Sequence, residues 1–367
     1  MAWHIWKKME EVKPAAAHYF CLKSGHLTEE VYGKIVSIAG EARGCYANGD
    51  ADVACFSDAE FATMMFLDGC FLLQYMSGVL NREESALLLN WITLSTWPCM
   101  RRDIFLLENQ LPWLVPEALM TFTYVPIYDF IFSISFDFYA SLVSELRLSK
   151  DEFQMYRPPH LLGLFRYYQI GAMPPEDQSS VKRKYLALAS SAIDLAEIGI
   201  KVTASKKRWF ADMSIQKGSL TGELSLTPLF LNGHTASWLV NMAAFEACTS
   251  TRGQEFDGFV VSSYVSLLAM LMGKEEDVHE LRAKHLLRSF FSDEEILHFF
   301  KGLTHHMRVG HRYRDTLDKI SYYRRKRPVR TAVHKFLYNN FKTFVTLLSI
   351  AGVLVGIFKT LLSLKQR

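Results

Sequence analysis

Sixteen consecutive residues without a charge, Thr343 to Phe358, follow a basic run, Arg324-Arg325-Lys326-Arg327. As a helix they span about 24 Å, and extending to Leu364 brings the length to about 33 Å at 1.5 Å per residue. A bilayer core is about 30 Å thick, so the stretch predicts a C-terminal transmembrane helix over 343–364. Such a helix obliges the rest of the chain to fold as a separate domain on one side of the membrane. Lys359 lies within about two turns of the end, where it can snorkel to the headgroups. Seven Lys or Arg stand between Arg324 and Lys342, against two after the span. That bias predicts a main domain facing the cytosol. It also sets Arg324, Arg325, Lys326, Arg327 and Arg330 against anionic lipid, at about 1 kcal/mol each. With three residues after Leu364, the segment reads as a tail anchor inserted after synthesis. Gly352 and Gly356 form a GxxxG pair, a candidate helix-dimer face for a homodimer.

The 367 residues are 50% hydrophobic and 22% charged, which is globular composition with enough chain for a substantial core. A net charge of +3, with its basic excess near the C-terminus, argues against a nucleic-acid binder that uses its whole surface. Six cysteines lack metal-ligand spacing, no glycosylation sequon occurs, and the first fourteen residues contain no apolar signal core. These features predict reduced thiols, mostly in the core, and a cytosolic domain.

Helical signals dominate. Ser57 followed by Glu60 is a capping box opening the apolar run Phe61 to Leu80. Asp68 and Gln74 inside that run favour a buried core helix, because a carboxylate at mid-bilayer costs about 2.5 kcal/mol or more. Ala118 to Leu146 is rich in Phe and Tyr but interrupted by Pro126 and three acids, so it reads as a core helix pair. Trp97-Pro98 and Leu111-Pro112 mark breaks. Helices are expected over Lys182 to Ile198, stopped by Gly199, and over Trp238 to Cys248, Phe259 to Met272 and Ser292 to Leu303. Leu220 to Leu226 suggests a short strand or hairpin. The fold class is mainly α: one large helical domain over 1–317 with at most a short β-hairpin. A basic juxtamembrane segment over 318–342 and the helix over 343–364 complete it.

No phosphate loop, dinucleotide turn, zinc helix or nucleophile elbow occurs. His305, His306 and His311 fall beside Arg308 and Arg312, which oppose a cation. Asp50 with Asp52 is turn chemistry, and Glu275-Glu276-Asp277 is a charged helix start. Lys206-Lys207-Arg208-Trp209 is too small a patch to indicate nucleic acid. The reading is no enzyme, no cofactor, no metal and no nucleic acid.

Asp68-Gly69-Cys70-Phe71 precedes Leu107-Glu108-Asn109-Gln110-Leu111-Pro112. Together these resemble the DGCF and LLENQLP signatures of the plant "domain of unknown function 247" family. Ala192 to Val202, Leu229 to Leu231 with Thr235, Asn241 to Glu246, Glu276 to Val278 and Ser292 to Glu295 resemble its later blocks. The resemblance spans about residues 10 to 364. Two departures stand out: the usual upstream segment with an IGP.H.G pattern is absent, and His285 to Ser289 replaces the usual GII.N wording. The resemblance implies a mostly helical, membrane-associated plant protein without established catalysis. Some grass relatives are linked to pollen self-incompatibility, which implies recognition of a protein or peptide partner.

Read from its own residues, the LLENQLP segment puts many donors and acceptors beside apolar Ile104 to Leu107. Buried polar groups require partners, so Glu108, Asn109 and Gln110 are expected to cap and lock neighbouring helices. The functional expectation is a recognition or signalling module anchored to a membrane, taken as the plasma membrane, with an unknown protein partner. The alternative is an enzyme acting at the membrane through an unrecognised site.

Overall fold

The computed structural model describes residues 2–46, 51–81, 97–139, 148–171, 191–206, 209–217, 221–249, 258–304, 307–326 and 328–365. Its first part consists of α1 (Ala2–Ser24), α2 (Thr28–Gly44), a short α3 (Ala51–Ala54) and α4 (Asp58–Leu80). Ser57 caps α4 as its spacing predicts. Its Oγ accepts the Glu60 amide at 3.3 Å, and the Glu60 carboxylate accepts the Ser57 amide at 2.9 Å. Helix α4 is the core helix expected: Phe61, Met65, Leu73 and Met76 are buried on successive turns. Helices α1 and α2 pack against it, and beyond α5 (Trp97–Asp103) so do α6 (Leu114–Leu119) and α7 (Ile127–Ser135).

The chain continues through α8 (Lys150–Met155), α9 (Leu161–Ile170) and α10 (Ala192–Glu197). Strands β1 (Ile200–Ala204), β2 (Ser214–Lys217), β3 (Gly222–Leu226) and β4 (Leu229–Leu231) follow, then α11 (Gly233–Thr249), α12 (Val260–Leu271) and α13 (Glu275–Ala283). Strand β5 (Leu287–Ser289), α14 (Asp293–Thr304), α15 (His311–Lys326), α16 (Pro328–Asn339) and α17 (Phe341–Lys365) complete it. The architecture is mainly helical. Gly199 ends α10 at φ +84°, a conformation glycine adopts without a Cβ penalty.

The β content exceeds the single hairpin expected. Strand β3 pairs antiparallel with β2 but parallel with β1, Ile200 opposite Gly222, while β4 pairs parallel with β5, Leu229 opposite Leu287. Parallel partners lie far apart in sequence, so local pattern does not reveal them. Four aromatic side chains join the sequence-distant parts. Phe105, Phe138, Phe165 and Trp238 are fully buried, with Phe105 4.4 Å from Phe165 and 5.2 Å from Trp238 between ring centroids.

Helix α15 runs through residue 317 and buries Thr316, Ile320 and Tyr323. Helix α16 meets α10 through a Lys335–Glu197 ion pair at 3.0 Å. Helix α17 is exposed along its described apolar length, with Leu348 at 71% and Val355 at 66%. Among the described residues only Asp58–Leu80 is long and apolar enough to cross a membrane, and 67% of its apolar window is buried in the domain. Thr343–Lys359 is a shorter apolar helix. The transmembrane helix expected over 343–364 is thus reduced here to an apolar portion of a longer exposed helix.

Three cysteines, Cys45, Cys55 and Cys248, are exposed rather than in the core, while Cys21 and Cys70 are buried. Lys207, Arg208, His305, His306 and Arg327 lie outside the described residues, as do parts of the helices expected over 118–146 and 182–198.

Candidate functional site

The LLENQLP segment forms a 3-10 turn, Leu107–Asn109, and then extends. Gln110 does the most. Its Nε2 donates to the Ile104 carbonyl at 2.9 Å and the Leu106 carbonyl at 2.7 Å. Its Oε1 accepts the Leu162 amide at 2.8 Å, which satisfies a free donor in the first turn of α9. Asn109 Nδ2 donates to the Asp103 carbonyl at 3.1 Å. The Leu107 amide donates to Asn241 Oδ1 on α11 at 2.8 Å, and the Trp113 amide to the Pro159 carbonyl at 2.8 Å. Asn109 and Gln110 thus hold their own loop, and Gln110 also holds α9, while Glu108 and Asn109 are exposed. Leu107 and Leu111 are half-buried and Pro112 is buried.

The DGCF segment sits in the middle of α4. A Cβ on Gly69 would lie 2.7 Å from Leu119 Cδ1 and 3.0 Å from Val115 Cγ1, so glycine permits the close approach of α6. Cys70 and Phe71 are buried, and burial pushes the Cys70 thiol far up. Asp68 is 2.7 Å from the Lys13 ammonium of α1, which also pairs with Glu10. Burial raises the Asp68 carboxyl above its usual range despite Lys13. For Lys13, burial works the other way, yet the Asp68 and Glu10 carboxylates outweigh it and leave the ammonium raised.

The two motifs meet at one cleft. Asp68 and Phe71 from the first and Glu108, Asn109, Gln110 and Leu111 from the second line a cavity of about 350 Å³. Lys13 and Glu10 line it from α1, Asp103 and Ile104 from α5 and the turn after it, and Met64 and Met65 provide apolar surface from α4. Asp103 is held at 2.8 Å by Arg102. Sequence reading gave the motif residues but not Lys13 or Glu10, because nothing local couples α1 to α4.

The later blocks are structural. Glu246 is fully buried and lies 2.8 Å from Arg166. Its oxygens also accept the Val261 and Ser262 amides at 2.9 Å each, the position where a helix N-terminus favours an anion. Asp277 stands in the first turn of α13, the charged helix start its sequence suggests, and is fully buried; it accepts the Ile193, Gly273 and Lys274 amides at 3.1 Å each. Thr235 is buried and donates to the Phe230 carbonyl at 2.8 Å. His160, not singled out from sequence, caps α9: its Nδ1 accepts the Gly163 amide at 3.1 Å, and burial lowers its pKa to about 4.

The remaining predicted residues stand away from the cleft. Arg324, Arg325 and Lys326 are exposed at the end of α15, and Arg330 lies in α16. A Cβ on Gly352 or Gly356 in α17 would meet nothing within 4 Å. Among the described residues, no group of three or more His, Cys, Asp or Glu could hold a metal ion.

Comparison with known proteins gives a consistent picture. A UPF0481 protein of Arabidopsis thaliana is 25% identical over 270 residues, 66% of this chain. The chain spans about half the length of that curated relative, 53%. No solved structure matches. The profile of DUF247, described as plant protein of unknown function, matches residues 4–355, and the chain belongs to that family.

Proposed function

We propose that this chain is a membrane-associated recognition protein, whose helical domain offers binding surface to a protein partner on the cytosolic side. The observation that carries the reading is the exposed apolar length of α17, from Phe344 to Phe358. Exposed apolar area on this scale is costly in water and marks an interaction or membrane surface. Its seventeen residues from Thr343 to Lys359 give about 25 Å of helix, the short end of what crosses a bilayer.

Helix α16 supports the same reading. Val329, Val333 and Phe336 are exposed at helical spacing and lead into exposed Phe341 and Phe344. Aromatic and basic residues at such a junction suit the headgroup layer. Arg324, Arg325 and Lys326 add exposed positive charge at the end of α15.

Carbonate extraction of membranes from cells expressing the full chain tests the reading. Retention in the pellet is expected, with release when Leu348, Val353 and Val355 are all changed to Asp. Complete release of the unaltered chain would overturn membrane anchorage.

A further inference from the structure

We propose that the motif-lined cleft binds a peptide segment in which a Lys or Arg stands beside an apolar side chain. The cavity of about 350 Å³ lies in the size range of ligand pockets, roughly 300–1,000 Å³. Its apolar surface comes from Met64, Met65, Phe71, Leu72 and Leu111. Methionine adapts its shape to varied side chains, so such a surface accepts an apolar residue without demanding one geometry.

Charge selects the neighbouring residue. Four carboxylates line the cleft, Glu10, Asp68, Asp103 and Glu108, against one cation, Lys13. Arg102 adds a second cation beside Asp103, which leaves two carboxylates in excess. Glu108 is exposed at the cleft, placed to meet an incoming charge first. Burial already works against the ionised Asp68 carboxyl, so a cation arriving beside it stabilises that form. A phosphate or nucleic acid would be repelled. The described residues hold no cluster suited to a metal ion, which leaves an organic cation with an apolar neighbour. Lys and Arg carry both features on one side chain, a charged head on an apolar stem.

The inference deepens the recognition half of the proposed function and rests on it, but it is independent of membrane anchorage. The test uses the full chain in neutral detergent micelles and fluorescein-labelled hexapeptides with a fixed Leu-Arg-Phe core and randomised flanks. A matched set carries Leu-Glu-Phe. Fluorescence anisotropy should show the arginine set bound at least tenfold more tightly. Glu108→Arg, a change at an exposed residue, should weaken that binding at least tenfold, and Glu108→Gln by a smaller factor. Equal binding of the two sets, or no effect of Glu108→Arg, overturns the proposal. Preferential binding of the glutamate set overturns it while leaving recognition at the cleft standing. Absence of binding by either set removes both.

Discussion

Gln110 accepts the amide of Leu162 at 2.8 Å across 52 residues of chain, while its amide nitrogen holds two carbonyls of its own loop. One side chain therefore closes a turn and starts a distant helix. Gln110→Leu removes all three bonds and leaves half-buried groups without partners. Each net bond contributes about 1 kcal/mol, and an orphaned group costs more. A loss of about 2–4 kcal/mol in denaturant unfolding is expected. Gln110→Glu keeps the acceptor for Leu162 but turns a carboxylate oxygen toward the Ile104 and Leu106 carbonyls, so its loss should shrink at low pH, where the carboxyl carries a proton it can donate. A Gln110→Glu loss that does not change with pH would show that the two carbonyl contacts are not the important bonds.

Glu246 and Arg166 form a second junction, with the carboxylate fully enclosed. Removing one member of a buried pair leaves an uncompensated charge, at about 3–5 kcal/mol. Glu246→Gln should therefore destabilise strongly even though its shape is conserved. Glu246→Gln with Arg166→Met should recover part of that loss. A double variant as unstable as the sum of the singles would contradict the coupling.

His160 sets a pH dependence whose sign follows from its cap. The Nδ1 atom must accept the Gly163 amide, which requires the neutral ring, and burial lowers the pKa from 6.5 to about 4. The unfolded chain thus takes up a proton before the folded one does. The stability contribution is complete above pH 6.5 and falls as pH drops toward 4, by up to about 3 kcal/mol at 1.36 kcal/mol per unit. Unfolding curves at pH 7 and pH 4.5 check this. His160→Asn, which retains a capping oxygen, should flatten that part of the profile, and an unchanged slope would exclude His160 as its source.

Gly171 and Gly25 separate conformational cost from steric cost. Both have φ near +74°, but a Cβ on Gly171 would lie 1.9 Å from Trp209 Cγ, whereas Gly25 faces open space. Gly25→Ala should cost about 1–2 kcal/mol, from left-handed backbone alone. Gly171→Ala should cost substantially more or prevent folding. Comparable melting temperatures for the two variants would refute the assigned contact with Trp209.

The open faces of Gly352 and Gly356 carry the last prediction. Close helix approach in a membrane needs small residues four apart. Gly352→Ile should shift the detergent-solubilised chain from dimer to monomer in sedimentation velocity, and a monomeric unaltered chain would remove the dimer face.

What the sequence made legible was local. Ser57 with Glu60, Ser292 with Glu295 and Gly199 all act within one helical turn, and each forms the terminus its spacing suggests. The polar character of Asn109 and Gln110 also pointed correctly to locking bonds. The distant partners in this segment were hidden, because Gln110 meets Leu162 across 52 residues and the Leu107 amide meets Asn241 across 134. Asp277 was legible as a charged helix start, but not its bond to the Ile193 amide 84 residues away. Asp68 marked a core position by its charge, but Lys13 became its partner only when α1 folded against α4.

The enclosed Arg166–Glu246 pair also orders events at the ribosome. Arg166 emerges 80 residues ahead of the carboxylate that receives it. At about 5–20 residues per second that interval is roughly 4–16 s, during which the guanidinium stays hydrated and α9 lacks its final packing. The amides of Val261 and Ser262 arrive later still. The second half of the fold therefore closes around this carboxylate only after α12 has begun to emerge, and a translational pause just before that point would prolong exposure of the aromatic core.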